Sequence, residues 1–207
     1  NGQATSIGHG LGVKPGLILV KNTADARSWV YWHKTFLNGN TGQYMYLDTT
    51  DGKGTGSKDF WNTTSPTSSV FHISSDSHVN PNTNRMAGYV FSEVEGFSKF
   101  GSFEGNADRD NGRFIYCGFQ PAMILFRNTS GGQYWAMYDN ARDEENPVVH
   151  YIRAEEAQGE QDGVLDHVDF LSNGFKVRMA FGFGNGNGQT ITYAAFASAP
   201  FKYSRAY

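Results

Sequence analysis

The sequence has one cysteine, no long apolar run and no surplus of basic residues, and each shortage removes a class of protein. Cys117 stands alone, so no disulfide can form within the chain and packing has to hold the fold. That suits folding in a reducing compartment, even for a protein that later works outside a cell. No apolar stretch approaches the roughly 20 residues that span a bilayer, and Asn1 to Gly8 carry neither the basic nor the apolar segment of a signal peptide. Membrane insertion is not expected. With 17 Lys and Arg against 20 Asp and Glu, a formal net charge of −3, there is no positive field to hold a phosphate backbone, which argues against nucleic acid as a partner.

Glycine and aromatic residues are what the sequence has in quantity. The 25 Gly, 16 Phe, 11 Tyr and 4 Trp imply frequent turns, with rings supplying the burial that aliphatic helices supply elsewhere. Short apolar or alternating runs bounded by Gly, Asn, Asp and Pro mark strands at 16–21, 28–33, 43–48, 70–74 and 85–92 in the first half. The second half has them at 114–118, 122–127, 133–139, 148–153, 174–179 and 190–197. One short helix is expected at 153–158, stopped by Gly159, and the glycine-rich run 182–188 is expected to be a flexible hairpin turn.

The halves repeat one another. PGLILVKNT at 15–23 returns as PAMILFRNT at 121–129, and at the same offset (121 − 15 = 106) Trp29 falls on Trp135. Tyr46 aligns with Tyr151, Phe71 with Phe175 and Phe91 with Phe196, at offsets of 104 or 105. The expected fold is therefore all-β: two related antiparallel β-sandwich or jelly-roll-like repeats in tandem, 1–102 and 103–207. The run 97–106 reads as a strand leading into the second copy, while the first copy lacks its initial strand, as in a segment of a longer polypeptide. Aligned polar residues differ: His33 falls on Asp139, Lys34 on Asn140 and Asp48 on Arg153. On that reading the duplication kept a skeleton while the chemistry drifted, and no catalytic constellation belongs to the repeated unit.

Candidate chemistry is sparse. The tract 139–169 holds ten of the twenty acidic residues, and Asp139, Asp143, Glu144 and Glu145 could supply the two carboxylates of glycoside hydrolysis; a solvated loop explains them more simply. Asn106, Asp108 and Asp110 space three oxygen ligands as a calcium loop does, but the glycine falls one place late and no Glu follows, so an inter-repeat turn is the better reading. The histidines have no zinc-ligand spacing, and His72 and His78 lie in a serine-rich, exposed-looking segment. Cys117 reads as a buried structural thiol. Trp29 and Trp135, shared, read as core. Trp32 and Trp61 are unshared, and with His33 and Asn62 they form the candidate platform for stacking a sugar ring, against the alternative of edge packing. No catalytic residue, cofactor or enzymatic activity is expected.

The segments GLGVKPGLILVK (10–21), FWNTTSPTSSVF (60–71), VFSEVEGFSKFGS (90–102), YDNARD (138–143), DFLSNGFK (169–176) and AFASAPFKY (195–203) resemble an uncharacterised repeat domain of structural and tail-fibre-like proteins of tailed, mainly marine, bacteriophages. The resemblance covers nearly the whole chain, through motifs that are structural. It implies a virion component of a tail fibre, appendage or capsid-surface fibre, assembled in the host cytoplasm and exposed outside the cell. Other virion proteins, copies of itself in a homo-oligomer and host surface glycan are the implied partners. Host attachment is the plausible task; a glycan-binding receptor module is the alternative, and a glycan-cleaving spike the more distant one.

Overall fold

The structure, a computed structural model, describes residues 2–36, 42–54, 58–163 and 167–198. It is predominantly β, and all pairings between its strands are antiparallel. Two compact units divide between Ser92 and Glu93.

Unit 1 contains β1 (Thr5–Gly8), β2 (Leu17–Asn22), β3 (Val30–His33), a 3₁₀ turn (Lys34–Phe36), β4 (Met45–Tyr46), β5 (Val70–Ile73) and β6 (Met86–Phe91). One sheet has the order β4-β3-β2-β6, and β1 and β5 form a separate pair. Alternation aims Ile18, Val20, Val30 and Trp32 from the sheet at Phe71 and Ile73 of β5. Phe60, Trp61 and Val79 from the connections complete that core.

Unit 2 contains β7 (Ser98–Glu104), β8 (Phe114–Tyr116), β9 (Pro121–Asn128), β10 (Ala136–Asp139), β11 (His150–Ile152), β12 (Gln161–Asp162), β13 (His167–Leu171), β14 (Gly174–Arg178), a single helical turn α1 (Gly182–Asn185) and β15 (Thr190–Ala197). Its sheets run β12-β11-β10-β9-β15-β7 and β13-β14-β8. Ile124, Phe126, Tyr138, Ile191 and Tyr193 from the first meet Ile115, Val168, Phe170, Phe175 and Val177 from the second in one core. Each such side chain contributes about 1.5–3 kcal/mol by leaving water. The strand β7, which straddles the 102/103 boundary drawn from sequence, is bonded along its length to β15 and lies within unit 2.

In their central strands the two units have matching registers. Ile18 lies opposite Trp32 and Val90; Ile124 lies opposite Tyr138 and Ala195. Ile7 faces Phe71 as Ile115 faces Phe175. Strand ends match too. The fully buried Asn22 closes β2 by accepting the N–H groups of Ala24 and Asp25 at 3.0 and 3.1 Å, and the fully buried Asn128 closes β9 by accepting that of Ser130 at 2.8 Å. Their amides donate to the Ser77 and Gly182 carbonyls. The next residue, Thr23 or Thr129, donates both its N–H and its hydroxyl to one carbonyl, that of Arg85 or Thr190.

Three local expectations are corrected. Residues 153–158 form turns and no helix, because Glu155 is drawn inward onto Trp135. The run 182–188 is no flexible hairpin: it holds α1, fixed by Phe183 packed on Tyr134 at 4.6 Å and by the buried Asn185 amide donating to the Met179 carbonyl at 2.7 Å. Finally, Tyr31 pairs with Met45 as Met137 pairs with Ile152, an offset of 107 (152 − 45) in this strand. Tyr44, not Tyr46, is thus the counterpart of Tyr151, and Asp48 corresponds to Glu155 instead of Arg153.

Candidate functional site

The expected sugar platform is not built. Trp32 and Trp61 are 3% and 4% exposed and belong to the core of unit 1, so neither offers a ring face to solvent. His33 is fully buried, its ring parallel to Tyr31 with centroids 6.0 Å apart and its Nδ1 2.8 Å from the Thr35 hydroxyl. Asn62 is exposed and sits at φ 50°, the left-handed region that asparagine tolerates; its work is to turn the chain, with its carbonyl accepting the Thr64 hydroxyl at 2.7 Å. Both tryptophans are packed into the core, neither on an edge nor on a ligand-facing surface. The Trp61 indole nitrogen is buried with no acceptor among the described residues.

The calcium-like loop is a chain of local turns. Asn106 Oδ1 accepts the Asp108 N–H and the Asn185 amide, and Asp108 Oδ1 accepts the N–H groups of Asp110 and Asn111 at 3.0 and 2.8 Å. The Asn111 N–H, against the opposing effect of desolvation, holds the Asp108 carboxyl below its ordinary range. Asn106 and Asp108 thereby spend their side-chain oxygens on the loop itself. Among the described residues no three His, Cys, Asp or Glu side chains gather as metal ligands, and no helix is long and apolar enough to cross a membrane.

The acidic candidates are likewise committed to loop structure. Asp139 accepts the N–H groups of Ala141 and Arg142 and pairs with the Arg142 guanidinium at 2.9 Å; the same guanidinium reaches Glu160 at 2.6 Å. Asp143 accepts the N–H groups of Val149 and His150 and bonds His150 Nδ1 at 2.7 Å. Burial works against the Asp143 charge, but these bonds prevail and hold its pKa low, and in return they raise that of His150. Glu144 and Glu145 are exposed.

Two clusters escaped the sequence reading. In unit 1, Asp76 bonds His78 through both its backbone N–H and ring Nδ1, each at 2.8 Å. The His78 ring stacks on Tyr46 at 6.1 Å and lies 5.3 Å from Phe60; Lys58 donates to the Tyr46 hydroxyl at 3.2 Å. Burial opposes the Asp76 charge, yet the His78 bonds and the Lys58 charge keep that carboxyl low; burial, with Tyr44 beside it, pushes Tyr46 up. The partly exposed Tyr46 ring beside an ammonium, an imidazole and a carboxylate can stack on and hydrogen-bond a polar ligand. The signal available in sequence was Asp76 two residues before His78, concealed by the serine-rich context.

In unit 2, both oxygens of Glu155 accept the Trp135 N–H, at 3.2 and 3.1 Å, while the fully buried Arg127 guanidinium lies 5.4 Å from the Trp135 ring centroid. Burial raises the Glu155 pKa against the opposing pull of its hydrogen bonds and of Arg127. Asp48 accepts the Trp29 N–H at 3.2 Å in the equivalent place of unit 1. Trp135 is fully buried, as expected, whereas Trp29 is only half-buried and tilts against Tyr89 at 6.0 Å. Cys117 is free and buried, its thiol pushed up to about 12 by desolvation.

No curated protein and no solved structure matches this chain. A family model does, over residues 1–200, and its description is Domain of unknown function (DUF7483). Covering nearly the whole sequence, that match makes the chain a member of the DUF7483 family.

Proposed function

We propose that the chain is an architectural module of a virion, a tail fibre, appendage or capsid-surface fibre component, made by tandem duplication of one β-sandwich unit. One observation carries this reading: the polar side chains that recur between the units, Asn22 with Asn128, Thr23 with Thr129 and Asp48 with Glu155, all bond the chain's own backbone. What the two copies share serves folding. The virion setting comes from the resemblance of the sequence segments to phage structural proteins, and a module of this kind works among other virion proteins or copies of itself. Antibody-labelled electron microscopy of purified particles tests it. Label on an appendage or capsid surface is expected, and particles free of the chain would contradict the reading.

Host-glycan recognition is a second role, favoured by the partly exposed group of Tyr46, Lys58, Asp76 and His78, which has no counterpart among the described residues of unit 2, where Phe183 stands in the place of His78. A glycan array probed with the wild type and with His78→Ala tests this role. Binding that the substitution abolishes supports it, and a wild type that binds nothing on the array or on host cells refutes it.

A further inference from the structure

The outer edge of β6 differs from the same edge in unit 2. There β15 lies between β9 and β7, and Ile191, Tyr193 and Ala195 turn their N–H and C=O groups to β7. Their counterparts 105 residues earlier are Met86, Gly88 and Val90. In β6 the hydrogen-bonded partners of β2 are the alternate residues, fixed by the Thr23 N–H on the Arg85 carbonyl, so Met86, Gly88 and Val90 present their backbone groups to the other side. No described strand pairs there. Natural sheet edges are guarded by charge or proline, and β6 reads MAGYVF with neither.

The side chains define what such an edge would take. In unit 2 Tyr193 packs edge-on against Phe175 at 5.4 Å, and its hydroxyl so crowds Gly101 of β7 that a Cβ there would come within 2.7 Å. Next along, the fully buried Ala194 lies opposite Phe100. Large faces small in both pairs. Unit 1 inverts the pattern on β6: Gly88 stands in the place of Tyr193, with only the Phe71 ring 4.0 Å from where its Cβ would be, and Tyr89, 50% exposed, stands in the place of Ala194.

Resting on the reading of the units as copies, we propose that the β6 edge is a strand-acceptor site for an antiparallel extended segment of a different protein, bearing an aromatic residue opposite Gly88 and a small one opposite Tyr89. The incoming ring would lie beside Phe71 as Tyr193 lies beside Phe175. The β7 sequence itself is the wrong complement, since it sets Gly101 where a ring is wanted and Phe100 where Tyr89 already stands.

Two peptides test this on the full chain: FSKFGSFEG, the sequence of 97–105, and FSKAFSFEG, which carries Phe100→Ala and Gly101→Phe. Amide hydrogen exchange at Met86, Gly88 and Val90 is the readout. The exchanged peptide is expected to slow all three by at least about tenfold and to bind about tenfold more tightly than the native sequence. In the chain carrying Gly88→Tyr with Tyr89→Ala the preference is expected to reverse. A thermal melt checks that this variant folds, and Tyr89→Ala alone, a surface change, is expected to relax discrimination at peptide position 100. Exchange unmoved by either peptide overturns the proposal, as does a preference that ignores the substitutions. Protection of the three amides by self-association, without peptide, makes the occupant a second copy and overturns the stated partner. If neither peptide binds while the units keep equivalent registers, the edge proposal falls and the duplication stands.

Discussion

Glu155 accepts the backbone N–H of Trp135 with both carboxylate oxygens, at 3.2 and 3.1 Å, so a side chain from the turns after β11 fastens the entry to β10. Removing it leaves a buried N–H without an acceptor. Glu155→Ala is expected to destabilise the chain by about 1–3 kcal/mol in chemical denaturation. Asp48→Ala removes the equivalent bond at the half-buried Trp29 and is expected to cost less, about 1 kcal/mol. Equal and negligible losses would show that these carboxylates do not hold the strands.

The same residue gives a pH dependence. Because burial raises the Glu155 pKa in the folded chain, the native state binds this proton more tightly than the unfolded state does. The associated stability is present in full below the ordinary Glu value of about 4.3 and is lost as pH rises through the raised folded value. Glu155→Gln does not titrate. The unfolding free energy of the wild type minus that of Glu155→Gln is therefore expected to fall with rising pH, in urea titrations from acid to neutral pH. A difference that grows with pH would mean that Arg127 and the Trp135 N–H outweigh burial.

His150 provides an independent check on the acidic loop. Asp143 lies 2.7 Å from its Nδ1 and raises the imidazole pKa. Nuclear magnetic resonance titration is expected to place His150 above the ordinary value of about 6.5, and Asp143→Asn to return it towards that value. An unchanged titration in the variant would remove the pair from the account.

Much of the fold was legible because strand periodicity and turn residues are local signals. The run 190–197 coincides with β15, and 70–74 and 85–92 overrun β5 and β6 only at their ends. The strands that went unread, β1 and β12, are short and polar, TSIG and QD, and take their structure from a partner strand. Strand β13, HVDFL, also went unread although its burial alternates along the strand. The helical turn α1 depends on Phe183 finding Tyr134 and Tyr151, a contact across many residues that no local pattern encodes.

The site was less legible, for a physical reason. An unshared tryptophan looks like a ligand platform in sequence, but Trp32 on β3 and Trp61 from a connection both pack into the core of unit 1. Aligning Tyr46 with Tyr151 also hid the shared carboxylate: only the pairing of Met45 with Tyr31 and of Ile152 with Met137 sets Asp48 on Glu155. At a position that looked chemically divergent, a carboxylate accepts the tryptophan N–H in both units.

Asn128→Ala tests how far the repeated polar residues hold the fold. Its fully buried amide serves the Ser130 N–H, the Gly182 carbonyl and the Gln189 side chain, so truncation is expected to cost about 2–3 kcal/mol and to free α1, seen as faster hydrogen exchange at Asn185. Asn22→Ala is expected to loosen the turn at Asp25 in the same way. A stable variant with α1 unchanged would show that Asn128 is dispensable.

The central claim, two copies of one sheet held in one register, is tested most directly by interstrand Hα–Hα contacts in nuclear magnetic resonance spectra. Leu19 with Tyr31 and Leu125 with Met137 are the non-hydrogen-bonded pairs, where such protons approach most closely. The account predicts both contacts in the same sample. A contact displaced by one residue in either unit would put the opposite set of side chains in that core and contradict the claim.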